Sequence, residues 1–226
     1  MKSINFDSYN YDIPTEMVIE AYKKGLFPMA ETAESKEIYW LKPKTRGIFF
    51  FDKVKAPKKL RRIAKKYPFR IAVNKDFRTV VENCSKITSH RKDTWINDTI
   101  KKIYADLFEL GYAHSVECYL EDKLVGGLYG VALGAAFFGE SMFSKVTNAS
   151  KFALFHLIER LIMGQFMFID TQFINSHLRQ FGAQEITNQR FNFILKDALN
   201  KKANFENICK RGFIPNSIYP LTSEII

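Results

Sequence analysis

Between Ser115 and Phe143 the chain runs through three alternating, apolar-rich segments with almost nothing between them: Ser115–Leu120, Leu124–Leu133 and Ala135–Phe143. The tight Glu121-Asp122-Lys123 stretch joins the first pair and Gly134 the second, which indicates an antiparallel meander. Two of the segments spend glycines where a strand interior wants side chains: Gly126, Gly127 and Gly130 in one, Gly139 in the next. Glycine at such positions weakens a strand and marks a bulge or a place where a ligand lies against bare backbone. Glu140 follows at once, flanked by Phe137, Phe138, Met142 and Phe143, so it is expected to look into a largely apolar cavity. A lone carboxylate in such a wall needs a cationic or hydrogen-bonding partner, and a bound substrate can supply one. An ordinary strand ending in a surface acid is the plainer alternative, and the surrounding glycines weigh against it.

On either side of the meander the periodicity turns helical. Residues Thr15–Lys24 suit a short amphipathic helix with Met17, Val18, Ala21 and Tyr22 inward and Gly25 as its stop. Leu26–Met29 reads as an extended turn, and short strands are expected near Ile38–Trp40 and Gly47–Phe51. Phe69–Val73 is a strand, Phe77–Cys84 a helix, and Asn97 or Asp98 can cap a helix through Leu110 that Gly111 ends. Beyond the meander, Asn148 or Ser150 opens an apolar helix closed by Gly164, and Phe166–Asp170 is a buried strand. Helices from about Asn175 to Phe181 and over Gln189–Leu199 follow. Helix, antiparallel meander, helix, strand, helix is an α+β order. It divides into a small N-terminal domain over residues 1–50 and a larger domain over 51–226.

Charge separates function classes further. The net charge is +10, and Lys53, Lys55, Lys58, Lys59, Arg61, Arg62, Lys65 and Lys66 crowd one segment of it. Pro57 suits the first turn of a helix over 57–66, on which Lys58, Lys59, Arg62, Lys65 and Lys66 share a face while Leu60, Ile63 and Ala64 turn inward. That stripe lacks the acidic partners of a solubility face, and counterion release from a phosphate backbone is its natural use. An anionic membrane is the poorer partner, because the apolar side of this helix is too weak to insert. No run approaches membrane-spanning length. Cys84, Cys118 and Cys209 are far apart and odd in number, and the four histidines are scattered. A reduced cytosolic protein without a structural metal is the expectation.

The element order resembles the Gcn5-related N-acetyltransferase architecture, whose members bind the pyrophosphate of coenzyme A on a Gly-rich turn after the central strand. The equivalent stretch here, Ser144-Lys145-Val146-Thr147-Asn148-Ala149, holds no glycine, which argues against acetyl-CoA as donor. A more specific resemblance runs collinearly from about Pro14 to Asn192. It is carried by Gly25-Leu26-Phe27-Pro28, by Lys42–Ile48, by Thr94-Trp95-Ile96, and by Gly111–Glu117 with Leu124–Gly130. It continues through Gly139–Ser144, Asn148–Lys151, Ile169-Asp170-Thr171-Gln172 and His177-Leu178 to Gly182-Ala183. On these the chain is similar to the leucyl/phenylalanyl-tRNA–protein transferases.

The resemblance implies transfer of a leucyl, phenylalanyl or methionyl group from aminoacyl-tRNA to the α-amino group of a protein beginning with Arg or Lys, which marks it for N-degron proteolysis. It implies a monomeric cytoplasmic enzyme that needs no cofactor, the aminoacyl-tRNA being a substrate. Residue by residue, it assigns the acceptor stem to Lys58, Arg62, Lys65 and Lys66. The terminal adenine would stack on Trp95, with Met29 standing where many relatives carry a tryptophan. Leu128, Phe137, Gly139, Leu154 and Ile169 would surround the donor side chain. Asp170 and Gln172, on one face of a strand end, would form the catalytic relay, with Glu140 attracting the positive amines. Within that relay Gln172 orients the amine and Asp170 sets its rotamer; the alternative for Asp170 is a helix N-cap.

Overall fold

The computed structural model describes residues 13–64, 69–88 and 92–206. Its centre is a seven-stranded sheet in the order β4-β5-β6-β7-β8-β3-β9, beside a two-stranded ribbon of β1 (Phe27–Met29) and β2 (Tyr39–Leu41). The meander is there as β5 (Ala113–Leu120), β6 (Lys123–Leu133) and β7 (Ala136–Ser144), with β4 (Phe69–Val73) antiparallel on its outer edge. Helix α5 (Ala149–Met163) then crosses over and returns the chain to β8 (Phe168–Asp170), which pairs parallel to β7. The sheet is completed by β3 (Thr45–Phe50) and β9 (Gln184–Thr187), both antiparallel to their neighbours. This mixed, largely antiparallel α+β sheet is the acyltransferase-like fold that the element order implied.

Helix α5 covers one face of the sheet, burying Phe152, Leu154, Leu157 and Leu161 against β4 to β7. The opposite face carries α1 (Thr15–Lys23), α3 (Phe77–Ser85), α4 (Asp98–Glu109) and α7 (Asn188–Leu199), which share a second core with Tyr129 and Phe138. Gly126 is needed for the first packing. A Cβ there would lie 2.5 Å from the Ala149 Cβ and 2.9 Å from its carbonyl carbon, so α5 starts against bare strand backbone. Among the described residues the remaining helices are α2 (Lys58–Ala64), the four-residue α6 (Ser176–Arg179) and a 3-10 turn over Phe51–Lys53.

Two elements differ from the sequence reading in their partners. Strand β3, expected within the small N-terminal unit, is hydrogen-bonded between β8 and β9. Phe27–Met29, expected as a turn, pairs with Tyr39–Leu41. Asn148 stands at the start of α5 with φ of 72° but makes no side-chain cap, whereas Asn97 caps α4 by accepting from the Ile100 N–H at 2.9 Å. Among the described residues no helix is long and apolar enough to cross a membrane.

Candidate active site

The β6–β7 register slips between Tyr129 and Gly130: Tyr129 faces Ser141 while Gly130 faces Gly139. Glu140 is therefore the unpaired extra residue of a β-bulge, a device that re-aims a side chain and changes which face the following residues occupy. Phe137 and Met142, an odd number of positions apart, both lie on the α5 side as a result. At the same level the sheet opens. The β7–β8 ladder ends at Phe138 with Asp170, and beyond it the two strands diverge around a cavity of about 390 Å³. Leu128, Gly139, Leu154, Leu157 and Ile169 line it with Trp95 and Phe173, and Glu140, Ser141, Thr171, Asn175 and His177 are its polar members.

Glu140 is held from behind. The Tyr22 hydroxyl donates to its Oε1 at 2.8 Å, the Tyr104 hydroxyl to its Oε2 at 2.6 Å, and the Gln172 amide to Oε1 at 3.3 Å. Burial pushes the carboxyl up to about 7; the two tyrosine hydrogen bonds pull against that rise, Asp170 adds to it and Arg46 opposes it. A carboxyl so placed changes protonation near neutral pH, where a general acid–base group is most effective.

Asp170 is fully buried and paired with the equally buried Arg46, whose Nε lies 3.2 Å from each carboxylate oxygen and whose Nη2 also donates to Oδ2. The guanidinium sits between the rings of Phe27 and Phe191, at 4.9 and 4.3 Å from their centroids, and donates through Nη1 to the Gly25 carbonyl at 3.0 Å. Arg46 thus ties the turn after α1 to β3, β8 and α7. Asp170 also accepts the Gln172 backbone N–H at 2.8 Å. Asp170 and Gln172 do not share a strand face, because β8 ends at Asp170 and Gln172 turns through a φ of 53°. That turn directs its amide to Glu140. Asp170 therefore fixes the backbone of Gln172 and leaves its side chain to Glu140; the N-cap of α6 is Asn175, not Asp170.

The other expected site residues divide. Leu128, Gly139, Leu154, Ile169 and Trp95 line one cavity. Phe137 does not reach it: it is fully buried one register below the opening, where β7 still pairs with β8, and packs on Phe166 and Phe205. Met29 is half-buried in β1 and outside the lining, although the next residue, Ala30, donates its N–H to the Trp95 carbonyl at 3.3 Å. Lys58, Lys59 and Arg62 are exposed on α2 above the buried Leu60, while Lys65 and Lys66 lie outside the described residues. Arg46, Tyr22 and Tyr104 were not singled out from sequence. An Asp at the end of a buried strand needs a cationic partner, a signal that calls for a basic residue without saying which, and the two tyrosines read simply as apolar helix-face residues.

Along most of its length the chain is similar to known proteins. The family model described as leucyl/phenylalanyl-tRNA protein transferase matches residues 48–196, and that of the N-terminal domain of the same transferase matches residues 11–44. A protein of Rhodopseudomonas palustris (strain BisB18), named leucyl/phenylalanyl-tRNA–protein transferase, is 44% identical over 202 residues, 89% of this chain and 88% of its own. One of the same name from Paramagnetospirillum magneticum (strain ATCC 700264 / AMB-1) is 46% identical over 194 residues, 86% of this chain and 93% of its own. Among solved structures, FemX is similar at a TM-score of 0.51 and 12% identity, over 85% of this chain and 74% of that one, a likeness of fold alone. With both family models matched in order and relatives this close along most of its length, the chain is an aminoacyltransferase belonging to the leucyl/phenylalanyl-tRNA–protein transferase family.

Proposed function

We propose that the chain moves a leucyl, phenylalanyl or methionyl group from its tRNA to the α-amino group of proteins that begin with Arg or Lys, and so marks them for N-degron degradation. It does this as a cytoplasmic monomer without a cofactor. The observation that carries the reading is the pairing, in the lining of one largely apolar cavity, of the half-buried Glu140 carboxylate with Trp95. The cavity suits an aromatic donor side chain or an aliphatic one unbranched at Cβ, and its largely apolar wall separates Leu, Phe and Met only weakly. Trp95 offers its face to the terminal adenine, and exposed Lys58 and Arg62 offer charge to the acceptor stem without reading sequence. Lys65 and Lys66 belong to the same basic run.

The donor ester is already activated, and the acceptor amine has an ordinary pKa of about 7.7–8.0, so positioning supplies much of the rate. Glu140 attracts the acceptor's positive end, Gln172 orients it, and Asp170 with Arg46 keeps the turn bearing Gln172 in place. The test is direct: charged tRNA of each kind is incubated with peptides beginning Arg, Lys or Asp, and masses are read. Arg- and Lys-initiated peptides gain one Leu, Phe or Met residue and the Asp-initiated peptide does not. Equal extension of all three, or of none, rejects the assignment.

A further inference from the structure

The hydroxyl oxygens of Tyr22 and Tyr104 and the two carboxylate oxygens of Glu140 form a closed ring. The hydroxyls lie 2.9 Å apart, and each touches a different carboxylate oxygen, at 2.8 and 2.6 Å. Both tyrosines are fully buried, so solvent does not reach the ring from their side. Counting protons shows what the arrangement favours. With Glu140 ionised, two hydroxyl protons serve three short O···O contacts, and both are drawn to the carboxylate. The Tyr22–Tyr104 contact then holds no proton and sets two lone pairs against each other. With one proton added, every contact carries one: Glu140 donates to Tyr104, Tyr104 to Tyr22, and Tyr22 to the other carboxylate oxygen.

We propose that this four-oxygen ring is the proton acceptor of the transfer reaction, taking one proton from the incoming α-ammonium, with Tyr22 and Tyr104 as positioning residues for Glu140. The inference rests on the function proposed above. In the step, the ammonium of the acceptor gives one proton to Glu140 and becomes a neutral amine. Its nitrogen attacks the ester carbonyl carbon and the C–N bond forms. The ester C–O bond to the ribose breaks, and a second proton from the attacking nitrogen passes to the departing ribose oxygen. Glu140 then returns its proton to water, so the sum is amide, free tRNA end and one released proton.

The groups facing the ring are Tyr22 from α1, Tyr104 from α4, Tyr129 from β6 with its ring 5.0 Å from that of Tyr104, Gln172, and the Arg46–Asp170 pair. The first two donate to the carboxylate, Asp170 favours its protonated form and Arg46 its ionised form, and the balance under burial is a group titrating at about 7. That lies below the ordinary pKa of the acceptor amine, about 7.7–8.0, so the enzyme retains a usable base where the free peptide is mostly protonated.

Glu140→Gln tests this, since a glutamine amide can reproduce the protonated ring, donating to Tyr104 and accepting from Tyr22, yet cannot take up a proton. The kcat/KM for an Arg-initiated peptide is measured from pH 6.5 to 8.5 with phenylalanyl-tRNA. Wild type rises through about 7, and the variant only through the amine's own pKa of about 7.7–8.0. Their ratio is then about fivefold larger at pH 6.5 than at its limit near pH 8.5, where the amine is already neutral. Tyr104→Phe, which removes one donor from the carboxylate and opens the ring, displaces the wild-type limb in pH and serves if the glutamine variant does not fold. Active wild type with a variant ratio that does not change with pH, or a limb that Tyr104→Phe leaves in place, overturns the proposal. Wild type that makes no product at any pH instead refutes the proposed function beneath it.

Discussion

Residue identity decides the chemistry here through pairs that lie far apart in the chain. Glu140 could be read in advance because a carboxylate among Phe137, Phe138 and Phe143 is anomalous, and the glycines beside it foretold the bulge. Its partners could not. Tyr22 is 118 residues away and Tyr104 is 36, and each hydroxyl sits on a ring that an amphipathic pattern counts only as buried surface. Arg46 and Asp170, 124 residues apart, form the clearest stability case. Removing one member of a buried pair leaves an uncompensated charge and costs about 3–5 kcal/mol. Arg46→Met is therefore expected to lose about that much in urea unfolding, and Asp170→Asn nearly as much. A loss under about 1 kcal/mol in both would show that the pair is dispensable to the fold. Gly139 makes a subtler case. A Cβ there would meet the Ile169 Cγ2 at 3.5 Å and the Asp170 carbonyl at 3.7 Å, ordinary contacts, whereas one at Gly130 would sit 2.2 Å from the Phe138 carbonyl oxygen. Gly139→Ala should fold normally and take up space in the donor cavity. Use of phenylalanyl relative to leucyl donors is expected to fall about tenfold, in the range that one methylene in an apolar pocket is worth. Gly130→Ala should instead lower the melting temperature.

Among the elements, the long periodic ones were legible; of the short ones β2, β8 and α6 were expected, and β1 and β9 were not. Helices α4, α5 and α7 and the β5-β6-β7 meander follow from pattern, turns and glycine stops. Strand β9 has four residues and β1 three, too few for alternation to register, and each exists because a neighbour needs its edge covered. The position of β3 between β8 and β9 is likewise a tertiary fact that no local pattern carries. Helix α2 shows what a charge run does contain. Lys58, Lys59 and Arg62 stay in solvent, and among the described side chains only Leu60 is fully committed to the core beneath. If these cations hold the acceptor stem, neutralising them weakens binding uniformly across tRNA species. For the double variant Lys58→Gln, Arg62→Gln, the slope of log affinity against log salt should become shallower by about 0.7–0.9 for each phosphate that is no longer neutralised. An unchanged slope would remove α2 from the tRNA interface.

At the scale of the whole molecule the active centre draws on both sheet faces, since α1 and α4 supply the tyrosines from one side and α5 walls the cavity from the other. Its integrity therefore depends on groups remote from it. Under the far end of α5, Arg160 is buried and donates to the Phe205 carbonyl at 2.7 Å, and the Phe205 ring stacks on His114 at 3.9 Å. His114 and His156 are each held down to about 4, first by burial and second by the Arg160 charge. Both titrate near 6.5 once unfolded. Each therefore contributes stability that is complete above about 6.5 and is lost as pH falls through about 4, because the unfolded chain takes up protons first. A difference of that size corresponds to roughly 3 kcal/mol per histidine. Glu140 has the opposite sign: its folded value of about 7 exceeds its unfolded one of 4.5, so its contribution is full in acid and fades as pH rises through about 7. Net stability thus mixes opposing terms, and a variant comparison isolates one of them. The Nε2 of His156 is buried with no hydrogen-bond partner among the described residues, so His156→Leu removes the titration without breaking a hydrogen bond at that atom. Measured by urea midpoint, the stability of this variant relative to wild type should improve by up to about 3 kcal/mol between pH 7.5 and pH 4. A difference that stays constant over that range would mean that His156 takes up its proton as easily in the folded protein as in the unfolded chain.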